Sequence, residues 1–248
     1  MLSSPQPAPS LIVFARYPRF GRVKTRLASS LGDAWTLHVY RAMLLDALDR
    51  FGRVPACRRR LFLSECSREE GEALAAESQS ADGFEISLQI GPALGERLSN
   101  AVASCSRSPD GFVIVGVDSP TLPLDYLRSA GRLLKKTPVV IGPSVDGGYY
   151  LLGLREPRTD LFEGIDWGSN RVLDQTAARL RDADYALLPC WYDVDTASDL
   201  DRLRAEVIDS PEWRHSRLRA VLRRLDEERS DSASAARGKP AGSTGPDD

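Results

Sequence analysis

Short apolar runs alternate with longer amphipathic stretches along the first part of the chain, and this rhythm limits the possible folds more than any other feature. The apolar runs predict strands at 10–15, 59–64, 84–90, 111–117 and 137–143. Their nearly continuous apolar character is typical of strands covered on both faces. The amphipathic stretches predict helices at 33–50, 67–79, 94–106 and 124–136. We therefore expect an α/β protein with three layers, α/β/α, around a mostly parallel central sheet.

The rhythm changes after the fifth apolar run. Residues 147–154 follow that run too closely for a crossover helix, so they predict an antiparallel return strand. The remaining elements that we expect are a helix at 169–182, a strand at 185–188, and a helical stretch at 196–228 with a break at Pro211.

The two ends of the chain differ from the rest in composition. Residues 1–10 are rich in Pro and Ser, and residues 230–248 are poor in apolar side chains. Such segments cannot bury enough apolar surface to offset the entropy of ordering, so we expect both to be disordered. That leaves a single domain at 11–229.

The overall composition excludes several classes of partner. Lys and Arg number 33 against 35 Asp and Glu, a formal net charge of −2, whereas a general nucleic-acid binder carries a basic surplus. No apolar run approaches the roughly 18 residues that span a bilayer. The four cysteines include no C-x-x-C pair, which favours neither a zinc site nor a disulfide framework. We expect a cytoplasmic protein without nucleic-acid or membrane partners, and its oligomeric state, a homo-oligomer included, stays open.

Ligands of open α/β sheets bind beyond the carboxyl ends of the strands, and the first such loop, ARYPRFGRVKTRL, gathers cations. It begins at Ala15 and fits neither the P-loop nor the dinucleotide-binding spacing. Gly21 permits a close backbone approach, and a helix that begins just after it would direct free N–H groups at an anion. Arg16, Lys24 and Arg26 would add charge-assisted hydrogen bonds to phosphate oxygens. The alternative is a solvated basic turn.

Two acids lie at the ends of later elements. Asp118 directly follows the fourth apolar run, where a carboxylate suits a hard divalent cation. Alternatively, Asp118 or Ser119 caps the helix that follows. In YDVDTASDL, Asp195 precedes a helix and would face Asp118 as a second metal ligand, or it caps that helix together with Thr196.

A third loop, GPSVDGGYYLLGL, joins the fifth run to the return strand. Asp146, Gly147 and Gly148 form a turn signal. The glycines would let a ligand approach the backbone, with Asp146 as a polar contact, or they serve only a tight turn. An acceptor would lie near this loop, Tyr149 and Trp167, whose indole offers a stacking face. Trp167 could equally be a packing residue beneath the next helix.

Five blocks of sequence occur together and in one order between residues 11 and 203. They are LIVFARYPRFGRVKTRLA, VIVGVDSPTLP, GPSVDGGYYLLGL, FEGIDWGSNRVLDQT and YDVDTASDL. Together they resemble the radical-SAM/selenodomain-associated transferase family, which belongs to the nucleotide-diphospho-sugar transferase (GT-A) superfamily. A weaker resemblance reaches the molybdenum-cofactor and phospholactate nucleotidyltransferases, whose first loop has a similar Lys-x-Arg-Leu ending.

The resemblance implies a GT-A-like, Rossmann-like fold and a role for each group of site residues. A nucleotide or sugar nucleotide would bind over the first loop, with Arg16, Lys24 and Arg26 at its phosphates. Asp118 would be the metal-binding aspartate and Asp195 a second contact to Mg²⁺ or Mn²⁺. The chain departs from typical sugar transferases because Asp118 is followed by Ser-Pro where those enzymes carry D-x-D.

From these features we predict a metal-dependent transferase that uses a nucleotide-activated donor, with Lys24 and Asp118 as its catalytic residues. The first hypothesis is a glycosyltransferase that moves a sugar from a sugar nucleotide to a small-molecule acceptor. Nucleotidyl transfer with release of pyrophosphate stays open because of the missing second acid. A non-catalytic nucleotide-binding protein is the rival from another class.

Overall fold

The computed structural model describes residues 8–56, 58–80, 83–105, 110–180 and 184–237. Within these ranges the strands are β1 (Ser10–Arg16), β2 (Arg59–Ser64), β3 (Glu85–Leu88), β4 (Phe112–Val115), β5 (Val139–Pro143), β6 (Tyr149–Leu154) and β7 (Tyr185–Leu187). The helices are α1 (Thr25–Leu31), α2 (Asp33–Phe51), α3 (Arg68–Ala75), α4 (Leu94–Ala103), α5 (Leu124–Leu133), α6 (Val172–Ala177), α7 (Ala197–Val207) and α8 (Arg217–Arg237). Short 3₁₀ turns lie at Thr159–Phe162 and Pro211–Trp213.

The strands form one sheet in the order β3-β2-β1-β4-β6-β5-β7. Neighbouring strands are parallel except at β6, which runs antiparallel to both β4 and β5. The predicted return strand and mostly parallel sheet are therefore confirmed. Because β6 is reversed, its amino end lies at the same edge as the carboxyl ends of β1 and β4.

Each face of the sheet has its own core. Leu11, Val13 and Ala15 of β1 alternate with Ile12 and Phe14, so successive side chains enter opposite faces. The first set packs with α2, α3 and α5, and the second packs with α4 and the 3₁₀ turn at Thr159–Phe162. Helices therefore cover both faces, which confirms the three-layer architecture.

A third core lies outside α2. Val39, Ala42 and Met43 of α2 pack against Leu203 of α7 and Leu222 of α8, all of them buried. The sequence prediction assigned α2 a single apolar face, and the structure shows a helix that is covered by the sheet on one side and by α7 and α8 on the other. The run of apolar residues around this helix carried that signal, since a helix that is apolar on most sides is a buried one.

Most element bounds agree with the predicted ones within a few residues, and the main difference lies at the carboxyl end. Helix α8 continues to Arg237, eight residues into the segment predicted to be disordered, while residues 238–248 lie outside the described residues. At the other end β1 already begins at Ser10, and residues 1–7 lie outside the described residues. Throughout the described ranges, every helix is too short or too polar to cross a membrane.

Candidate active site

A cavity of about 490 Å³ opens at the carboxyl end of β1. Strands β1 and β4 remain paired only as far as Val13 and Val115. Beyond that point the hydroxyl of Tyr40, on α2, donates to the carbonyl of Arg16 (3.0 Å) and accepts from its N–H (3.1 Å). Tyr40 thus satisfies the last backbone groups of β1, and the two strand ends separate. The gap between them is the place where an open α/β sheet binds ligands.

Lys24 is the central charged group of this cavity. It precedes α1 in the left-handed conformation, with φ 47° and ψ 49°. Its ammonium lies 2.5 Å from Asp118 Oδ1 and 2.6 Å from Asp195 Oδ1. Burial alone would lower the pKa of Lys24, but the two carboxylates outweigh burial and raise it above the ordinary value. Lys24 therefore stays charged and joins the end of β4 to the start of α7.

The acids differ from the lysine in their access to solvent. The side chain of Lys24 is 7% exposed, whereas those of Asp118 and Asp195 are 48% and 36% exposed. Each carboxylate therefore has an open side that a ligand can reach. Because the Oδ1 atoms of both acids contact the same nitrogen, Lys24 Nζ, the two carboxylates lie close enough to share one cation.

Backbone contacts decide between the sequence-level alternatives for Asp195. The side chain of Thr196 caps α7 and forms a capping box with Asp199. The Asp199 carboxylate also accepts from the N–H of Asp195 at 3.1 Å. Asp195 therefore does not cap α7, and its carboxylate is free to face Lys24.

Asp118 likewise does not cap the helix that follows it, α5. Helix α5 begins after Pro123 without a side-chain cap. The carbonyl of Asp118 accepts from the N–H of Val194 at 2.8 Å, which ties the end of β4 to the segment before α7. This backbone bond brings Asp118 and Asp195 to one place although 76 residues separate them in the chain.

Asp193 is a buried acid beside Asp118 and Ser119. The sequence did not indicate that Asp193 would be buried. It accepts a hydrogen bond from the hydroxyl of Ser119. Burial, reinforced by the negative charge of Asp118, raises the pKa of Asp193 to about 7. A carboxyl group with this pKa is partly protonated near neutral pH.

The arginines of the first loop have different positions. Arg16, Arg22 and Arg26 line the cavity, and the guanidinium of Arg16 also contacts the carbonyl of Arg22 at 3.4 Å. Arg19 points elsewhere: it donates to the carbonyl of Glu65 (2.9 Å) and to the carboxylate of Glu70 (3.1 Å). Arg19 thus fastens the loop to the turn after β2.

Three further lining residues escaped sequence reasoning: Glu65, Gln89 and Arg97. Glu65 follows β2, Gln89 follows β3, and Arg97 lies in the first turns of α4. Within the described residues, Glu65 and Lys24 are the two non-glycine residues with positive φ, and both line this cavity. Such strained conformations cluster at functional sites. The positions of Glu65 and Gln89 directly after strands were the signals available in the sequence.

The residues predicted for an acceptor lie beside this cavity rather than in its described lining. Asp146 Oδ1 accepts from the N–H of Gly148 at 3.0 Å, which closes the turn between β5 and β6. A Cβ on Gly147 would lie 2.1 Å from the carbonyl oxygen of Asn170. The missing side chain at Gly147 therefore makes room for the backbone of this chain itself.

Trp167 belongs to the packing around β6. Its ring is edge-on to Tyr149, with centroids 6.4 Å apart, and stacks on Phe162 at the same spacing. Trp167 also borders a second, shallower depression of about 550 Å³, together with Glu96 and Glu163. The packing interpretation of Trp167 is thus supported, and one edge of the indole still borders open space.

The donor groups fit a divalent cation that completes its coordination shell with phosphate and water. In the part of the chain that is described, no group of three or more His, Cys, Asp or Glu side chains is placed to hold a metal ion. Mg²⁺ is commonly bound by one or two carboxylates together with substrate phosphates. Asp118 and Asp195 match that requirement once the Lys24 ammonium moves aside.

Comparisons with known proteins locate the chain among its relatives. The family described as "Uncharacterized protein conserved in bacteria (DUF2064)" matches residues 47–169, a stretch that holds Asp118 but neither Lys24 nor Asp195. None of the curated proteins matches the chain.

Two solved structures share the fold at low identity. One is the 4-diphosphocytidyl-2C-methyl-D-erythritol synthase from Anaerococcus prevotii, with 9% identity, coverage of 80% of this chain and 96% of that chain, and a TM-score of 0.53. The other is the inositol-1-phosphate CTP transferase from T. maritima, with 15% identity, coverage of 89% and 97%, and a TM-score of 0.50.

A much nearer relative is a candidate nucleotide-diphospho-sugar transferase from Desulfovibrio desulfuricans G20. The two sequences are 32% identical over 88% of this chain and 95% of that chain, and the structures superpose with a TM-score of 0.78. Identity and coverage of this extent show membership of a common family. The chain therefore belongs to the same family as the Desulfovibrio protein, within the nucleotide-diphospho-sugar transferase superfamily.

Proposed function

We propose that this protein is a transferase that takes its group from a nucleotide-activated donor, with a divalent cation, Mg²⁺ or Mn²⁺, between Asp118 and Asp195. One observation carries the proposal: the buried Lys24 ammonium lies between two partly exposed carboxylates in a cavity that arginines line. Cations and acids in one pocket suit a ligand that brings both phosphate and metal. The family name of the Desulfovibrio relative agrees with this proposal.

The chain's own groups would act mainly by position and charge. When bound, the metal would neutralise negative charge on the leaving phosphate. Lys24, Arg16 and Arg26 would donate to phosphate oxygens and share that stabilisation. Asp118 and Asp195 would hold the cation, and the acceptor would approach over the β5–β6 turn, near Asp146, Gly148, Tyr149 and Trp167.

In the glycosyl reaction the bond between the sugar and the diphosphate breaks, and the nucleoside diphosphate leaves. A sugar nucleotide is the donor that the name of the Desulfovibrio relative suggests. We therefore retain glycosyl transfer as the first form of the proposal.

One observation favours nucleotidyl transfer instead. Five cationic and three acidic side chains line the cavity. The cations are Arg16, Arg22, Lys24, Arg26 and Arg97, and the acids are Glu65, Asp118 and Asp195. With a divalent cation added, the wall would carry a surplus of about four positive charges. A nucleoside triphosphate balances that surplus better than a sugar nucleotide, which carries about two fewer negative charges.

Product analysis separates the two reactions. The purified protein is incubated with Mn²⁺, a set of labelled sugar nucleotides and nucleoside triphosphates, and a mixture of candidate acceptors. Release of nucleoside diphosphate from a sugar nucleotide supports glycosyl transfer, and release of pyrophosphate from a triphosphate supports nucleotidyl transfer.

A binding measurement tests the shared part of the proposal. We expect nucleotides to raise the melting temperature in the presence of Mn²⁺ and Asp118→Asn to abolish that shift. Asp125→Asn, the same exchange at an exposed aspartate of α5, is the control. If no nucleotide shifts the melting temperature with either metal, the protein is not a nucleotide-dependent transferase. A shift without turnover would indicate the non-catalytic binding protein.

A further inference from the structure

Gln89 has a side chain whose orientation the chemistry of its neighbours fixes. Its Nε2 lies 2.8 Å from the carbonyl oxygen of Ala15 and 3.1 Å from that of Phe62. Carbonyl oxygens can only accept, so the amide nitrogen must face them and both of its hydrogens are used. Oε1 accepts no hydrogen bond from any described residue. It is also not among the buried side-chain atoms that lack a partner, so it is accessible to solvent. Gln89 therefore presents a bare acceptor at the cavity wall.

Arg97 stands on the same side of the cavity. Its Nε donates to the carbonyl of Gly91 at 2.8 Å, and its Nη2 lies 3.4 Å from the carbonyl of Pro92. These two backbone contacts hold the guanidinium plane at the wall. Nη1 makes no hydrogen bond to any residue that the structure describes, so it can donate to a ligand.

The order of the strands puts these groups across β1 from the phosphate-binding groups. Gln89 lies against the ends of β1 and β2, and the guanidinium of Arg97 is fixed to the segment that follows β3. Lys24 instead pairs with Asp118 and Asp195, beyond the end of β4. Leu94, an exposed apolar residue of the wall, lies between Pro92 and Arg97 in the chain. The part of the cavity near the end of β3 thus combines an apolar surface with a neutral fixed acceptor, Gln89 Oε1, and a cationic fixed donor, Arg97 Nη1.

We propose that Gln89 and Arg97 read the base of the donor nucleotide. Gln89 Oε1 accepts from an N–H group of the base, and Arg97 donates to a neighbouring oxygen or ring nitrogen. The inference rests on the proposed function, because it needs a nucleotide with its phosphates at Lys24. A base that presents a lone pair to Oε1 is rejected, since two acceptors then face each other without a proton.

The experiment measures binding of the four nucleoside triphosphates and of inorganic tripolyphosphate, each with Mn²⁺, by calorimetry. The proteins are the wild type, Gln89→Leu, Arg97→Met, and Gln79→Leu as the same exchange at an exposed glutamine outside the cavity. We expect the wild type to prefer one base over the least favoured one by about 10- to 100-fold. In Gln89→Leu and Arg97→Met that preference falls to about threefold or less. In Gln89→Leu, which removes no charge, the affinity for tripolyphosphate stays within about twofold.

The remaining outcomes overturn the inference in distinguishable ways. If Gln89→Leu keeps the wild-type order of the bases, Gln89 does not read the base, although the proposed function stands. If nucleotide and tripolyphosphate affinities fall by the same factor, Gln89 acts only by holding β1 through Ala15. If the wild type binds tripolyphosphate but prefers no base, the cavity has no base-reading end. If it binds neither, the proposed function itself fails.

Discussion

Lys24 has two properties at the scale of a single residue: its ammonium lies between the two carboxylates that we propose as metal ligands, and it lines the cavity that we propose binds phosphate. Its left-handed backbone costs about 1–2 kcal/mol for a residue with a Cβ, and the ion pairs with Asp118 and Asp195 hold it there. Under the proposed function, a metal ion bound by these carboxylates would displace the ammonium, which would then be free to donate to the phosphates. The residue therefore links the two halves of the ligand.

Replacing Lys24 with Met gives effects of opposite sign on the two ligands. Without the ammonium, the two carboxylates lose their counter-charge, so we expect Mn²⁺ to bind about tenfold more tightly in the absence of nucleotide. The nucleotide should bind at least tenfold more weakly, because its phosphates lose a charged donor. Calorimetric titration of Mn²⁺ and of nucleotide measures both.

Lys136→Met, at an exposed lysine after α5, should change neither affinity. Weaker binding of Mn²⁺ to Lys24→Met would show that the carboxylates do not share a metal.

Sequence reasoning singled out several residues of the candidate site at strand and helix ends, where local patterns change, although it missed Glu65 after β2. Arg16, Lys24, Asp118 and Asp195 are of this kind. Gln89 was missed because its role depends on a contact with Ala15, 74 residues away, that no local pattern encodes. The raised pKa of Asp193 was missed for the same reason, since burial is a property of the assembled fold.

At the scale of an element, the turn between β5 and β6 shows why glycine is required. Gly147 has φ +88°, and its Cα packs on the backbone of Asn170. The carbonyl of Gly147 also accepts from the N–H of Leu173 at 2.9 Å. The turn and the segment before α6 are thus locked together by backbone atoms, which lack the freedom of side chains to move aside.

Gly147→Ala should destabilise the protein more than Gly168→Ala, and the pair separates two causes. Both glycines have positive φ, +88° and +87°, but nothing lies within 4 Å of a Cβ at Gly168. Gly168→Ala therefore carries only the backbone cost, about 1–2 kcal/mol. At Gly147 the contact with Asn170 adds to it, and we expect a total loss above about 3 kcal/mol in the free energy of unfolding. Equal losses in urea unfolding would mean that the turn relaxes freely.

Strands and helices were predictable as elements because each has its own periodicity, whereas their ends were not. Helix α8 exceeds its predicted end because the backbone of residues 230–237 extends a helix whose earlier turns are anchored on the third core by Leu218, Leu222 and Leu225. Composition alone predicted disorder there. Composition does not show that the preceding turns have already formed the helix, so that each further residue only extends it without a new nucleation cost. The second buried side of α2 was also missed, although apolar residues on most sides of this helix indicate a buried helix.

At the scale of the whole molecule, the third core connects the site to the carboxyl-terminal helices. Asp195 lies two residues before α7, and Lys24 directly precedes α1. Leu27 of α1 and Leu203 of α7 are both buried in this core. The positions of the two site residues thus depend on packing that the sheet does not provide.

Leu203→Ala tests how much stability this core contributes. Leu203 is fully buried, and Leu→Ala at such sites costs about 2–5 kcal/mol. Leu187, on the edge strand β7, is 56% exposed, so Leu187→Ala should change the free energy of unfolding by no more than about 0.5 kcal/mol. Urea unfolding measures both, and similar small losses would show that the outer layer packs loosely.

The position of α2 also decides how the molecule would respond to shortening. A product that ended before Asp195 would lack α7 and α8 and would uncover Val39, Ala42 and Met43 on a helix whose other side packs against the sheet. Premature termination or proteolysis at this point would therefore give a remnant that exposes a contiguous apolar surface and lacks one of the two carboxylates that face Lys24. Because large exposed apolar patches promote aggregation, we expect such a remnant to aggregate or to be degraded.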